Sequence, residues 1–519
     1  MSGPRGQDQA LMKQPAPSPT SALEMPAHPA AGAQPIYQRL AQHYRRAMEG
    51  GVLRPGDRMP SVRALTRLHQ VSLSTTLLVC RQLESEGWLE AKPRSGYFVR
   101  QPRRSHLPRA AEPSTQSLPD PAQYVGIHDR ISAFTTLCER HPEALNLAAA
   151  FGTPDCYPGA ALRAAATRAL RRQPQCLVEP VPPLGDGPFR SVLARRALSL
   201  GLVPGSGDII VTHGCIEALN LALRAVTQPG DTVAVESPAY FGLLQILESL
   251  GLRALEVATS PHTGLSVDAL ALALKNNPAV KAVVVVPNFQ NPLGSVMPDS
   301  EKERLVALCT ARDIPLIEDD TYGALTQDDT PLKAAKAWDN HAPGQGQVIY
   351  CASLTKILTP GMRLGWMLGG RWFERIKMLK HAQSRPNDVL SQATVAAYME
   401  GSSYDRHLAK LRRRLHHQRE QMADAVAQHF PPGTRLSPPQ GAMMLWIELP
   451  QQRSSWALFE AALQQGVRIT PGTLFSNSAR YEHFFRLSCG AAFTPEVARA
   501  VATLGRIAAG LPAGQEPTT

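Results

Sequence analysis

Apolar positions follow two different rhythms along this 519-residue chain. From Ile36 to about residue 100 they recur at helical spacing, which predicts short helices over 36–49, 62–69 and 72–86. Gly50-Gly51 and Gly87 stop the first and third, and Ser61 is a good N-cap for the second. Trp88-Leu-Glu-Ala and Gly96-Tyr-Phe-Val then read as a hairpin whose tip is Lys92-Pro-Arg-Ser. Beyond Tyr124 the rhythm changes. Short Val/Ile-rich runs, at 208–212, 232–236, 282–286, 314–318 and 348–352, alternate with helical stretches. Such runs suit strands buried on both faces, so a mostly parallel sheet covered by helices is expected as far as Leu511.

The remaining stretches set boundaries. Residues 1–34 are rich in Pro and Ala and are expected to be a disordered tail, as are 513–519. Pro102, Pro108, Pro113, Pro119 and Pro121 suggest an extended linker. The expected organisation is a small domain at 35–103, a linker at 104–123 and a large α/β domain at 124–512.

A content of 43% apolar and 19% charged residues describes a folded protein rather than a disordered one. No run of about 18 apolar residues predicts a membrane span, and no secretory signal is legible. The eight cysteines are scattered without metal spacing, so reduced thiols in the cytoplasm are expected. The net charge is +11, and twelve cations against five anions place +7 of it between Ile36 and Arg103. The basic excess therefore belongs to the small domain.

Helix, helix, turn, helix and a basic hairpin is the layout of a winged helix-turn-helix. Its third helix enters the major groove of DNA, and its wing touches the backbone or minor groove. Arg63 and Arg94 are the strongest expected contacts, joined by Arg58, Ser61, Ser72, Ser74, Thr75, Thr76, Ser95 and Gly96. Each hydroxyl has a competing role as a helix cap. The runs Gly56-Asp-Arg-Met-Pro-Ser-Val-Arg-Ala-Leu, Val71-Ser-Leu-Ser-Thr-Thr and Leu83-Glu-Ser-Glu-Gly-Trp-Leu-Glu-Ala-Lys-Pro-Arg-Ser-Gly-Tyr-Phe-Val resemble the GntR-type DNA-binding domain.

In the large domain the most informative stretch is Ser353-Leu-Thr-Lys-Ile-Leu-Thr-Pro-Gly-Met-Arg-Leu-Gly. Lys356 follows a strand, where a partly neutral amine forms a Schiff base with an aldehyde. Ser353, Thr355 and Arg363 suit a phosphate. An aldehyde and a phosphate on one small molecule point to pyridoxal 5'-phosphate; the competing reading is an ordinary surface lysine. Four more strand ends bear on the choice. Gly214, Cys215 and Ile216 open a helix whose backbone N–H groups would meet a phosphate. Tyr240 could stack on a ring, or simply pack. Asn291 could donate to a phenolic oxygen, or merely precede a proline in a turn. Asp319 could hold a pyridine nitrogen protonated, with Tyr322 three residues on. Asp319 and Asp320 could otherwise ligate a metal, but no histidine lies close in sequence, and none is assigned.

All five pieces, in this order, resemble fold type I aminotransferases from about Leu145 to Leu511. The resemblance implies that Lys356 carries the cofactor and Asp319 pairs with the pyridine nitrogen. Asn291 and Tyr322 would contact the phenolic oxygen, and Tyr240 would stack on the ring. Gly214, Cys215, Ile216, Ser353, Thr355 and Arg363 would surround the phosphate. Arg486, in Phe485-Arg-Leu-Ser-Cys-Gly, would take the α-carboxylate of an amino acid. At Ile216 many relatives carry a polar side chain, so only its backbone N–H remains as a donor.

A GntR-type reader joined to such a domain resembles the MocR group of bacterial transcription regulators. The resemblance implies a cytoplasmic, nucleoid-associated homodimer that binds double-stranded operator DNA. It would sense pyridoxal 5'-phosphate, or a small amine or amino acid, through the Lys356 aldimine. The alternative is an active aminotransferase with an accessory DNA-binding domain; residual turnover is compatible with Lys356, Asp319 and Arg486.

Overall fold

The computed structural model describes residues 35–49, 52–54, 56–86, 88–92, 96–100, 107–113, 119–327, 330–339, 345–437 and 439–514. The tail at 1–34, most of the C-terminal tail, and the wing-tip residues Arg94 and Ser95 lie outside them. The chain divides into two compact units between Arg104 and Ser105.

In the first unit, helices Ile36–Glu49, Val62–Leu68 and Leu73–Ser85 precede the antiparallel hairpin Leu89–Lys92 and Gly96–Val99. Ser61 and Ser72 are N-caps, accepting from Ala64 N at 3.2 Å and Thr75 N at 3.1 Å. The helices close over a core that includes Leu40, Tyr44, Leu65, Val79, Leu83 and Trp88.

The second unit is built on a nine-stranded sheet. In spatial order its main path runs Gln123–Tyr124, Arg253–Ser260, Thr232–Ser237, Val280–Val285, Leu316–Asp320, Val348–Ser353, Gly365–Leu368 and Ile209–Thr212. The five strands from Arg253–Ser260 to Val348–Ser353 are parallel, whereas Gly365–Leu368 is antiparallel to both its neighbours. Helices cover the sheet and bury its Val/Ile runs, which accounts for their lack of alternation. A four-stranded antiparallel sheet (Arg435–Ser437, Met444–Glu448, Phe484–Ser488, Thr470–Pro471) packs with the C-terminal part of the long helix Ser402–His429.

The expected linker is not free where it is described. Leu436 N donates to Pro108 O at 2.9 Å, and Ala110 N donates to Ser437 Oγ at 3.2 Å. Gln123–Tyr124 pairs with the Arg253–Ser260 strand. Among the described residues no helix is long and apolar enough to cross a membrane.

Candidate functional site

Five strands of the large sheet deliver their C-terminal ends to one place, the crevice where open α/β sheets hold ligands. The strand Ile209–Thr212 leads into the helix Gly214–Val226. Gly214 has φ +76°, a left-handed conformation that favours glycine, and Arg363 Nη2 and Thr355 Oγ1 lie 3.4 and 3.5 Å from where a Cβ would stand. Arg363 and Thr355 thus gather at the N-terminus of this helix, where a phosphate would fit. Ser353 Oγ donates to Thr355 Oγ1 at 2.9 Å and accepts from Thr355 N at 3.1 Å, which aligns the two hydroxyls.

The Leu316–Asp320 strand sends Asp319 to this side and Glu318 and Asp320 to the other. Asp320 accepts from Tyr350 Oη at 2.8 Å and Asn288 Nδ2 at 3.2 Å, so the two neighbouring carboxylates do not converge. Asp319 Oδ1 accepts three hydrogen bonds, from Thr321 Oγ1 at 2.6 Å, Thr321 N at 3.0 Å and Cys215 Sγ at 3.1 Å. Burial raises the Asp319 carboxyl above its usual range, and these donors oppose that rise. A buried carboxylate oriented this way is a fitting partner for a protonated ring nitrogen.

Lys356 follows the Val348–Ser353 strand. Burial, reinforced by the Arg486 and Arg363 charges, brings its amine down to about 8. An amine lowered this far is partly neutral near neutral pH, the condition for attack on an aldehyde.

Asn291 is held by its neighbours. Buried Glu236 accepts from Val286 N at 3.1 Å and Gln290 Nε2 at 3.3 Å, and Gln290 also donates to Pro238 O at 2.7 Å. The 287–293 loop is thereby tied to the segment that leads to Tyr240. Asn291 Oδ1 accepts from Arg486 Nη1 at 2.8 Å, so its amide nitrogen is oriented by the arginine. Arg486 is buried beneath Phe475 and Phe241, and its Nη2 donates to Ala148 O at 2.6 Å. Its Nε has no partner. An unpaired buried guanidinium N–H is costly and fits an incoming carboxylate.

Cys215, Ile216, Tyr240, Asn291, Asp319, Tyr322, Ser353, Thr355, Lys356 and Arg363 line one cavity of about 130 Å3. Thr321, Val286 and Leu219 complete it. Three contributions were not read from sequence: the Cys215 thiol, Thr321, and Phe151, whose ring centroid lies 5.2 Å from Lys356 Nζ. Thr321 was within reach, because a Thr two residues after an Asp commonly donates back to it. Phe151 carried no local signal; long-range folding brings it to the lysine.

In the first unit Arg58, Arg63, Ser61, Ser72 and Ser74 are exposed, and Arg58 lies beside Gly96 at the base of the wing. Ser72 Oγ also contacts Ser74 Oγ at 2.7 Å and Thr75 Oγ1 at 2.8 Å. Thr76 corrects the expectation. It is 2% exposed, and its hydroxyl contacts Thr66 Oγ1 at 3.0 Å and Ser72 O at 3.3 Å. It braces the second helix against the third instead of facing DNA.

Comparison with known proteins matches these two halves separately. Residues 36–99 match the family model of bacterial regulatory proteins, gntR family, and residues 182–504 match aminotransferase class I and II. An uncharacterized HTH-type transcriptional regulator of Escherichia coli, YdcR, is 35% identical over 91% of this chain and 98% of its own length. The HTH-type transcriptional regulator TauR of Rhodobacter capsulatus is 28% identical over 89% and 94%. Among solved structures, the kynurenine aminotransferase of Pyrococcus horikoshii aligns with TM-score 0.68 and 27% identity, covering 73% of this chain and 94% of that one.

Proposed function

The chain belongs to the MocR-type transcription regulators, a GntR reader joined to an aminotransferase class I and II domain, and on that footing we propose that its large domain binds pyridoxal 5'-phosphate and an amino-acid effector to alter operator binding. The observation that carries the reading is the cavity itself: Lys356, Asp319, Tyr240, Ser353, Thr355 and Arg363 line one space, and its Asn291 is held by Arg486, a buried arginine with an unpaired N–H. Lys356 would hold the cofactor, and Asp319 its ring nitrogen. Asn291 and Tyr322 would hold its phenolic oxygen. Tyr240 would stack on the ring, while Gly214, Cys215, Ile216, Ser353, Thr355 and Arg363 would take the phosphate. When bound, the cofactor supplies an aldehyde that primary amines exchange onto. Arg486 would then select amines that carry a carboxylate.

The small domain reads DNA through Arg63 and the hydroxyls at the start of its third helix. A homodimer would carry two readers and favour operators with two half-sites. The effector must bind two conformations unequally for operator affinity to change. The test is an operator titration of Lys356→Ala with and without cofactor and amino acids. The substitution should abolish cofactor binding and the ligand response together. Loss of the cofactor with an unchanged ligand response would overturn the reading. The presence of Lys356, Asp319 and Arg486 also supports a second reading, an active aminotransferase with an accessory DNA-binding domain, which steady turnover with an amino acid and a keto acid at metabolic rates would favour.

A further inference from the structure

Phe151 is 46% exposed, yet the segment around it is tied down on both sides. Ala148 O accepts from Arg486, and Ala150 O accepts from Tyr322 Oη at 3.5 Å. Gly152 N donates to Tyr157 Oη at 2.9 Å, and Tyr157 donates to Lys356 O at 3.4 Å. Thr153 N donates to Gly490 O at 3.1 Å, and a Cβ at Gly490 would clash with the Phe151 carbonyl. A half-exposed aromatic ring is thus held in place 5.2 Å from Lys356 Nζ. Sites for small molecules are lined mostly by apolar and aromatic side chains, and this ring stands beside the amine such a molecule would meet.

We propose that Phe151 sets the side-chain class of the effector, selecting amino acids with aliphatic or aromatic side chains over those with acidic ones. The inference rests on the proposed function and adds the substrate class. An amine that replaces Lys356 brings its own substituents to the place the lysine amine held, beside the ring. Its carboxylate is drawn to Arg486. The remaining substituent then lies against Phe151 and loses water there, which costs little for a hydrocarbon and much for a second carboxylate. Little offsets that cost. Arg363 belongs to the proposed phosphate site, Arg486 to the first carboxylate, and Arg414 is paired with Asp155. Ile216, Leu219 and Val286, among the described lining residues, are apolar.

The test uses the full-length protein loaded with pyridoxal 5'-phosphate, titrated with L-leucine, L-phenylalanine, L-aspartate and L-glutamate. Binding is followed by the absorbance of the cofactor, and particle mass by light scattering. The apolar pair should bind at least about tenfold more tightly than the acidic pair, the scale of discrimination by an apolar pocket. Phe151→Ala should close most of that gap while the cofactor still loads, and Phe151→Arg should shift preference toward the acidic pair. An unchanged gap in Phe151→Ala, or a wild type that prefers the acidic pair, overturns the proposal and leaves the amino-acid reading standing. A change in mass with an unchanged gap also overturns it, making Phe151 a subunit contact. A wild-type spectrum unmoved by every amino acid overturns the proposed function itself.

Discussion

At the scale of single residues, Lys356 carries the sharpest consequence. Its amine is brought down from 10.5 to about 8, so between those values the unfolded chain binds the extra proton. Stability of the cofactor-free protein should therefore rise with pH across that window, and the penalty is fully present below pH 8. At about 1.4 kcal/mol per tenfold change in proton affinity, that penalty is about 3 kcal/mol. Lys356→Met should raise the midpoint of urea unfolding at pH 7, and the advantage should shrink toward pH 10. Uptake of added pyridoxal 5'-phosphate by the wild type should quicken with pH and level off above about 8. A second consequence concerns Asp319, whose two kinds of donor differ in strength. Thr321→Val removes a 2.6 Å bond to a carboxylate and should weaken cofactor binding by about 1.5–3 kcal/mol. Cys215→Ala removes a weaker thiol donor and should cost less than about 1 kcal/mol. Fluorescence titration of the cofactor would rank them. Lys356, Asp319 and Asn291 stood out as candidates in sequence because each sits in a short run at or just past a strand end, whereas Arg486 lies in the middle of the Phe484–Ser488 strand. The Cys215 thiol was not, since its bond to Asp319 spans 104 residues. Thr76 was misplaced because alternating hydroxyls at a helix start look alike until packing turns one inward.

Among the elements, the parallel strands were legible because burial on both faces leaves continuous Val/Ile runs. The antiparallel Gly365–Leu368 strand was not: its four residues have no distinctive period, and its direction follows from pairing with Val348–Ser353 and Ile209–Thr212. Gly365 is needed there, since a Cβ would lie 2.8 Å from Gly214 Cα. The helix at the proposed phosphate site is anchored by a buried ion pair. Lys380 Nζ on the helix Phe373–Gln383 meets Glu217 Oε2 at 2.9 Å, and His213 N donates to the same oxygen at 2.7 Å. Burial alone would raise the Glu217 carboxyl, but Lys380, Ser384 and His213 hold it below its usual range. Lys380→Met leaves that carboxylate buried without its cation and should cost about 3–5 kcal/mol in urea unfolding at neutral pH. Adding Glu217→Gln should recover part of the loss, because the uncompensated charge is then gone. Cofactor affinity should fall in the single variant if the pair also sets where the helix begins.

For the whole molecule, the proposed function requires linkage between operator DNA and an amino acid. If an amino acid changes operator affinity by some factor, operator DNA must change affinity for that amino acid by the same factor. Couplings of about 5–150-fold are typical, so the effect is measurable from either side. The basic small domain should make DNA affinity steeply salt-dependent, and both titrations therefore need one ionic strength. One titration follows operator binding by the cofactor-loaded protein with and without saturating amino acid. The other follows the cofactor's absorbance against amino acid with and without saturating operator duplex. Equal ratios are expected if one conformational equilibrium joins the domains. An amino acid that weakens operator binding while the operator leaves its affinity untouched would act by another route, such as stripping cofactor from Lys356. Arg486 separates the routes further. Arg486→Gln should lower amino-acid affinity at the cavity and keep the two ratios equal to each other, because it changes how much ligand is required rather than which equilibrium the ligand shifts.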